Sequence, residues 1–262
     1  MSATGVLFGL LAALSYGFAA YRFAGALRAD RPTRTLPCLA PLAAGLLAHA
    51  VSLSLGDAFD FGLTNALSLT AWLMVATVFG LAFSLPVASL VCIMAPIAAV
   101  IAVASPLVNP GGGNAVDPGV WTHAVSSLVA YGLLGLAAVQ ACIVAWQTRQ
   151  LRSAPGAGSG SLPPLAALER LMFWLISAGL LLLSVAIASG FAFLEDMLAQ
   201  RVAHKTVFSL LAWVAFAGLL LGHHLLGWRG KTALRWTLAG MGSLLVGFFG
   251  SKLVLEVILQ PG

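Results

Sequence analysis

The chain has 262 residues, of which 60% are hydrophobic and 8% are charged, and its net charge is +5. With a mean hydropathy of +1.00, the composition excludes a soluble globular domain and predicts a polytopic membrane protein. The positive charges lie in short connectors between apolar runs, which argues against a nucleic-acid partner.

Eight apolar runs of roughly 18–27 residues are separated by charges, prolines and glycine clusters, and each is long enough to cross a hydrocarbon core of about 30 Å. Backbone groups in lipid must be satisfied within their own segment, so the runs are predicted to be helices. We predict an all-α polytopic bundle of about eight transmembrane helices that forms a single domain over residues 1–262. The predicted spans are 3–27, 38–56, 64–83, 86–106, 120–147, 169–193, 206–228 and 235–258.

The basic residues predict the orientation of the helices. The connectors after spans one, five and seven, together with their flanks, carry ten of the 13 lysines and arginines: Arg22, Arg28, Arg31, Arg34, Arg149, Arg152, Arg170, Arg229, Lys231 and Arg235. Arg201, Lys205 and Lys252 lie on the other face. The positive-inside rule places the richer face in the cytoplasm and both termini on the outer, periplasmic side of a bacterial inner membrane.

The five histidines carry most of the functional information, because an imidazole in or near hydrocarbon needs a polar partner. His49 is predicted to lie just beyond the middle of span two. His123 begins span five and His204 precedes span seven, so both are predicted at the outer interface. His223 and His224 fall at the cytoplasmic boundary, where we expect them to extend toward solvent beside the nearby cations.

Two neutral imidazoles at one depth are what a six-coordinate haem iron needs, which makes His123 and His204 candidate axial ligands. The alternative is that each is a solvated residue at the membrane edge. Residues on the same face offer aromatic walls and propionate partners: Trp121 and Trp213 for the porphyrin, and Arg201 and Lys205 for the propionates. No C-x-x-C-H motif is present, so haem would be b-type and non-covalent.

Two further interpretations concern residues deeper in the membrane or near the C-terminus. His49 is either a ligand or a buried ring hydrogen-bonded to Ser52 or to a neighbouring helix. Lys252 and Glu256 are four residues apart on one helix face, which favours an ion pair, with a propionate contact of Lys252 as the alternative.

Four segments carry a resemblance to a known family: Trp121–Tyr131 (WTHAVSSLVAY), Ala203–Trp213 (AHKTVFSLLAW), Ser189–Phe191 (SGF) and Gly250–Glu256 (GSKLVLE). The chain resembles cytochrome c assembly proteins of the CcsA/HemX type, and within them the bacterial inner-membrane branch known as YpjD. The resemblance implies haem handling, and CcsA members deliver haem to apocytochromes c outside the membrane. It also implies that His123 corresponds to an outer histidine that ligates haem.

The chain departs from the CcsA pattern at two points. CcsA-type proteins carry a tryptophan-rich outer motif ending in W-D-P-K-E before S-L-x-x-W. Here only Lys205 and Ser209, Leu210 and Trp213 match. Their second outer histidine, near the C-terminus, is also missing, and we infer that His204 substitutes for it. We therefore do not expect an enzyme with full haem–cytochrome ligase activity.

The favoured function is a haem-binding membrane protein that holds or moves haem in c-type cytochrome biogenesis. Its expected partners are membrane lipid, other cytochrome c maturation proteins and apocytochrome c. One alternative is a HemX-like regulator or scaffold of tetrapyrrole synthesis. Another is a small-solute or proton-linked transporter that uses His49, Lys252 and Glu256.

Overall fold

The structure is a computed structural model that describes residues 3–55, 63–108, 118–153, 163–193 and 203–247. Within these ranges the chain is helical and has no strand. Its helices are α1 (Ala3–Arg28), α2 (Leu36–Ser54), α3 (Leu63–Leu81), α4 (Ala88–Val108), α5 (Pro118–Ser153), α6 (Leu165–Phe193), α7 (Ala203–Leu226) and α8 (Lys231–Leu245).

Helices α1 to α7 are each long and apolar enough to cross a membrane. This confirms the prediction of an all-α polytopic membrane bundle. In α8, the described 15 residues are too few to cross a hydrocarbon core, which needs about 20. The predicted eighth span, 235–258, continues outside the described residues, and the orientation of the termini stays a prediction.

Several helices extend beyond the predicted spans. Helix α5 has 36 residues, so it is about 54 Å long. Its last turns, which contain Arg149 and Arg152, consist largely of good helix formers that are too polar for hydrocarbon. Hydropathy predicts only the part of a helix that lies in lipid. The backbone hydrogen bonds of the helix continue beyond it wherever the residues favour the helical conformation.

The helices divide into two compact units. The first consists of residues 1–115 and 151–168, and the second of residues 116–150 and 169–262. Each unit is described by itself below, and the assignment of a single domain over 1–262 stays a prediction.

In the first unit, small residues let α1 approach its neighbours closely. The position that a Cβ on Gly9 would occupy coincides with the carbonyl of Ala102 on α4, and a Cβ on Gly45 of α2 would meet the ring of Tyr16. Tyr16 is fully buried as a result. Such small-residue contacts are the usual means by which membrane helices pack without a hydrophobic driving force.

In the second unit, α7 and α8 form an antiparallel hairpin. The hydroxyl of Ser243 donates a hydrogen bond of 2.8 Å to the carbonyl of Phe208. A Cβ on Gly240 would lie 2.7 Å from the ring of Phe216. Helices α5 and α6 also meet at a small residue, because a Cβ on Gly179 would lie 2.7 Å from the side chain of Leu134.

Candidate functional site

His123 lies near the start of α5 and is tied to α6 by its ring. Nδ1 is 2.8 Å from the carbonyl oxygen of Ala186, and the side chain is half-buried. A carbonyl can only accept, so Nδ1 carries a proton, and in the neutral ring Nε2 has the lone pair. The arrangement therefore fixes both the tautomer and the ring orientation.

The carbonyl that holds His123 also accepts from a second side chain. The buried hydroxyl of Ser189 donates to Ala186 O at 3.0 Å. On α5, the hydroxyl of Ser126 donates to backbone carbonyls of the same turn, that of Thr122 at 2.7 Å and that of His123 at 3.0 Å. These contacts concentrate polar groups around the start of α5.

Trp213 is also attached to α6, close in sequence to the Ala186 contact. Its Nε1 donates to the hydroxyl of Ser184 at 2.8 Å, and that hydroxyl donates to Leu180 O at 2.8 Å. The indole is 37% exposed, so part of its surface remains open to a ligand or to lipid. Trp121, the other predicted aromatic wall, is half-buried in α5 two residues before His123.

The remaining residues predicted for this site are less completely described. His204 lies in the first turn of α7, but its side chain falls outside what the structure describes. Lys205 is half-buried in the same turn. Arg201 and Lys252 lie outside the described residues, as does Glu256. The pairing of His123 with His204 therefore stays a prediction.

His49 belongs to the first unit and has no exposed surface. Its Nε2 is 2.9 Å from the hydroxyl of Ser68 on α3, and its Nδ1 is 3.3 Å from the hydroxyl of Tyr16 on α1. The Tyr16 and His49 rings are also in edge contact, with centroids 5.9 Å apart. A hydroxyl either donates or accepts, so both nitrogens are satisfied in either neutral tautomer.

Of the two alternatives for a buried His49 ring, Ser52 or a neighbouring helix, the structure shows the neighbouring helix. Ser52 instead donates to the carbonyl of Gly5 at 3.0 Å, because it lies on the side of α2 that faces α1. Sequence reasoning did not single out Tyr16 or Ser68. His49 would have to lose one of these two bonds before it ligated iron.

His223 and His224 differ from each other. His224 is exposed, as expected, but His223 is half-buried and does not extend freely toward solvent. The ring of His223 stacks on Phe173 with centroids 3.6 Å apart, and its Nδ1 donates to Trp228 O at 2.9 Å. The expectation for His223 was wrong because the turn after α7 folds back onto the ring.

Among the described residues, no group of three or more histidines, cysteines or acids is placed to hold a metal ion. A haem iron with two axial histidines needs no such group, because the porphyrin supplies the other four ligands.

The fold and this site define a polytopic α-helical membrane protein with a tautomer-fixed histidine near one end of α5. A family model described as cytochrome C assembly protein matches residues 44–259, so the chain belongs to that family. With seven described helices long and apolar enough to cross a membrane, it is a multi-pass membrane protein.

The chain is also similar to named bacterial proteins. The chain is 33% identical over 141 residues to the Escherichia coli K12 protein named "Inner membrane protein YpjD", with 54% of each chain covered. It is 35% identical over 147 residues, again 54% of each, to an Azospirillum brasilense protein named "Uncharacterized 28.8 kDa protein in nifR3-like 5'region". The chain thus spans about half the length of the curated relatives it matches. No solved structure matches the chain significantly.

Proposed function

We propose that this protein binds b-type haem non-covalently and holds or moves it during c-type cytochrome biogenesis. The hydrogen bond from His123 Nδ1 to Ala186 O carries the proposal. Histidines that ligate metals almost always donate their other ring nitrogen to a carbonyl or carboxylate, which orients the ring and raises its basicity. Membership in the cytochrome c assembly family supports the same chemistry.

Haem is the cargo in this proposal, and the chain supplies the groups that grip it. His123 offers Nε2 to one side of the iron, and His204 is the proposed second ligand. Trp213 has its indole N–H committed to Ser184, so it contributes only a ring surface to a porphyrin. Lys205, Arg201 and Lys252 are the proposed partners of the anionic propionates.

Axial ligation of the iron by two neutral histidines suits a haem carrier better than an enzyme. It holds the iron without an open coordination position, so the protein need not catalyse a reaction on it. We propose apocytochrome c and other maturation proteins as recipients, outside the membrane.

The test is an absorption spectrum of purified protein in detergent, with haem quantified per chain. We expect a Soret band and the low-spin spectrum of two histidine ligands in the wild type. His123→Ala and His204→Ala should each lose haem or change to a high-spin spectrum. His224→Ala is the matched control, because that ring is exposed at the other end of α7. Wild-type spectra in both histidine variants would overturn the proposal.

A further inference from the structure

Three exposed cations surround the turn between α7 and α8. They are Arg229, Lys231 and Arg235, called here the α7–α8 cationic surface. Lys231 and Arg235 lie one helical turn apart on the same face of α8. The three residues belong to the second unit and take no part in the proposed grip on haem.

Aromatic and glycine contacts hold this turn in one conformation. Gly227 and Gly230 adopt positive φ angles of 67° and 56°, which favour glycine. Trp228 N donates to Gly222 O at 3.1 Å, and the Trp228 ring covers Gly222 so closely that a Cβ there would overlap it. The Trp228 and Trp236 rings lie 5.5 Å apart.

The turn emerges at a membrane boundary. The apolar part of α7, Lys205–Leu226, has 22 residues, so it spans about 33 Å, close to the thickness of a hydrocarbon core. Trp228 and Trp236 flank the cations, as tryptophans do at the level of the headgroups. The cationic surface therefore lies where lipid phosphates lie.

The charges of this surface are not balanced by acids in the surrounding chain. No aspartate or glutamate occurs between Asp196 and Glu256. On α6, whose Phe173 stacks on His223, Glu169 lies one turn earlier, but the exposed Arg170 follows it directly. Like charges four residues apart repel, and cations are unfavourable in the first turn of a helix. A bound anion would relieve both effects.

We propose that the α7–α8 cationic surface binds the phosphate headgroup of an anionic phospholipid. Charge complementarity and the position at the membrane boundary together select a lipid over a soluble anion. The fixed turn keeps the backbone around Arg229 and Lys231 in one conformation, and Arg235 follows Lys231 one helical turn later.

The experiment titrates pyrene-labelled phosphatidylglycerol into the full chain in neutral detergent and follows energy transfer from tryptophan. Each cation near a membrane surface contributes about fivefold to the affinity for anionic lipid. We expect the triple variant Arg229→Gln, Lys231→Gln, Arg235→Gln to bind roughly a hundredfold more weakly. The control triple is Arg22→Gln, Arg28→Gln, Arg31→Gln, which removes the same charge from exposed positions outside this surface, next to the acidic Asp30 in the case of Arg31, and should weaken binding much less.

Three outcomes would overturn the proposal: unchanged binding by the first triple variant, an equal loss in both variants, or displacement of the probe by inorganic phosphate at lipid-like concentrations. The last would identify a soluble phosphate as the ligand. The wild type gives an independent check if the variant fails to fold, because its affinity must fall as salt screens the charges. None of these readouts involves haem, so the proposed function stands or fails separately.

Discussion

Hydrogen bonding separates the structural histidine of this protein from the candidate ligand. His49 has both nitrogens engaged by hydroxyls of other helices, whereas His123 is held through Nδ1 by a backbone carbonyl. The first pattern fixes three helices relative to one another. The second leaves a lone pair on a ring of defined orientation, which is what a metal ligand needs.

Removing the hydroxyl of Ser68 should destabilise the first unit. Ser68→Ala takes away the partner at 2.9 Å from His49 Nε2, and a buried polar atom left unsatisfied costs about 1–3 kcal/mol. The free energy of unfolding in mixed detergent measures the loss. Ser54→Ala is the control, because that hydroxyl is exposed and bonds only to Val51 O. Equal stability of both variants would contradict the structural role of the His49 contacts.

The sequence predicted that His49 needs a polar partner but not which residues supply it. Tyr16 and Ser68 lie 33 and 19 positions away from His49 in the chain. The depth of a residue in the membrane follows from counting residues along its helix. Which neighbours its side chain faces depends on the rotation of the helix about its axis, and this is determined by how the helices pack. The same reason explains why the Ala186 carbonyl was not anticipated, since a backbone acceptor has no sequence signature.

At the scale of the elements, close helix pairs depend on glycines whose missing side chains make room for a neighbour. Pro106 removes the N–H that would bond to Ala102 O within α4, and that same carbonyl lies against Gly9 of α1. The α1–α4 pair is therefore sensitive to any added side chain.

Gly9→Ala should weaken the α1–α4 contact. The new methyl group overlaps the backbone carbonyl of Ala102, which cannot move aside as a flexible side chain would. We expect a loss of about 1–3 kcal/mol in the free energy of unfolding. Gly17→Ala on the same helix meets nothing within 4 Å and should be neutral or slightly stabilising. The close contact would be refuted if the two variants unfolded alike.

Gly222→Ala should open the turn after α7. The Trp228 ring occupies the space of the new methyl group, so the indole must move and the bond from His223 to Trp228 O should weaken. We expect a red shift of tryptophan emission as the indole becomes hydrated. Gly242→Ala on α8 has open space around it and serves as the control. An unshifted spectrum in Gly222→Ala would exclude this packing.

The sequence predicted which segments form helices better than it predicted where each helix ends. Apolar length located α1 to α7, because the bilayer demands it. The polar turns that extend α5 to Ser153 were missed, since segmentation by hydropathy ends where the arginines begin. Helix α2 begins at Leu36 and has Pro37 in its first turn, which is typical of a helix start. The predicted span nevertheless began at residue 38.

At the scale of the whole molecule, composition determined the class, and the distribution of arginine and lysine predicts its orientation. Ten basic residues against three give a strong bias toward cytoplasmic placement of the connectors after α1, α5 and α7. The predicted outer ends of α5 and α7 then carry His123 and His204. The proposed haem site depends on this orientation, because delivery to an apocytochrome outside the membrane requires a site on that side.

Cysteine labelling tests the orientation directly. In a background with Cys38, Cys92 and Cys142 replaced by alanine, Asn114→Cys lies in the predicted periplasmic connector and Ser159→Cys in the predicted cytoplasmic one. A membrane-impermeant maleimide should label Asn114→Cys in intact spheroplasts, and Ser159→Cys only after lysis. The positive-inside rule gives this direction because translocating arginine-rich segments is unfavourable. The reverse pattern would place His123 at the cytoplasmic face, and export of haem from this site would then have no structural basis.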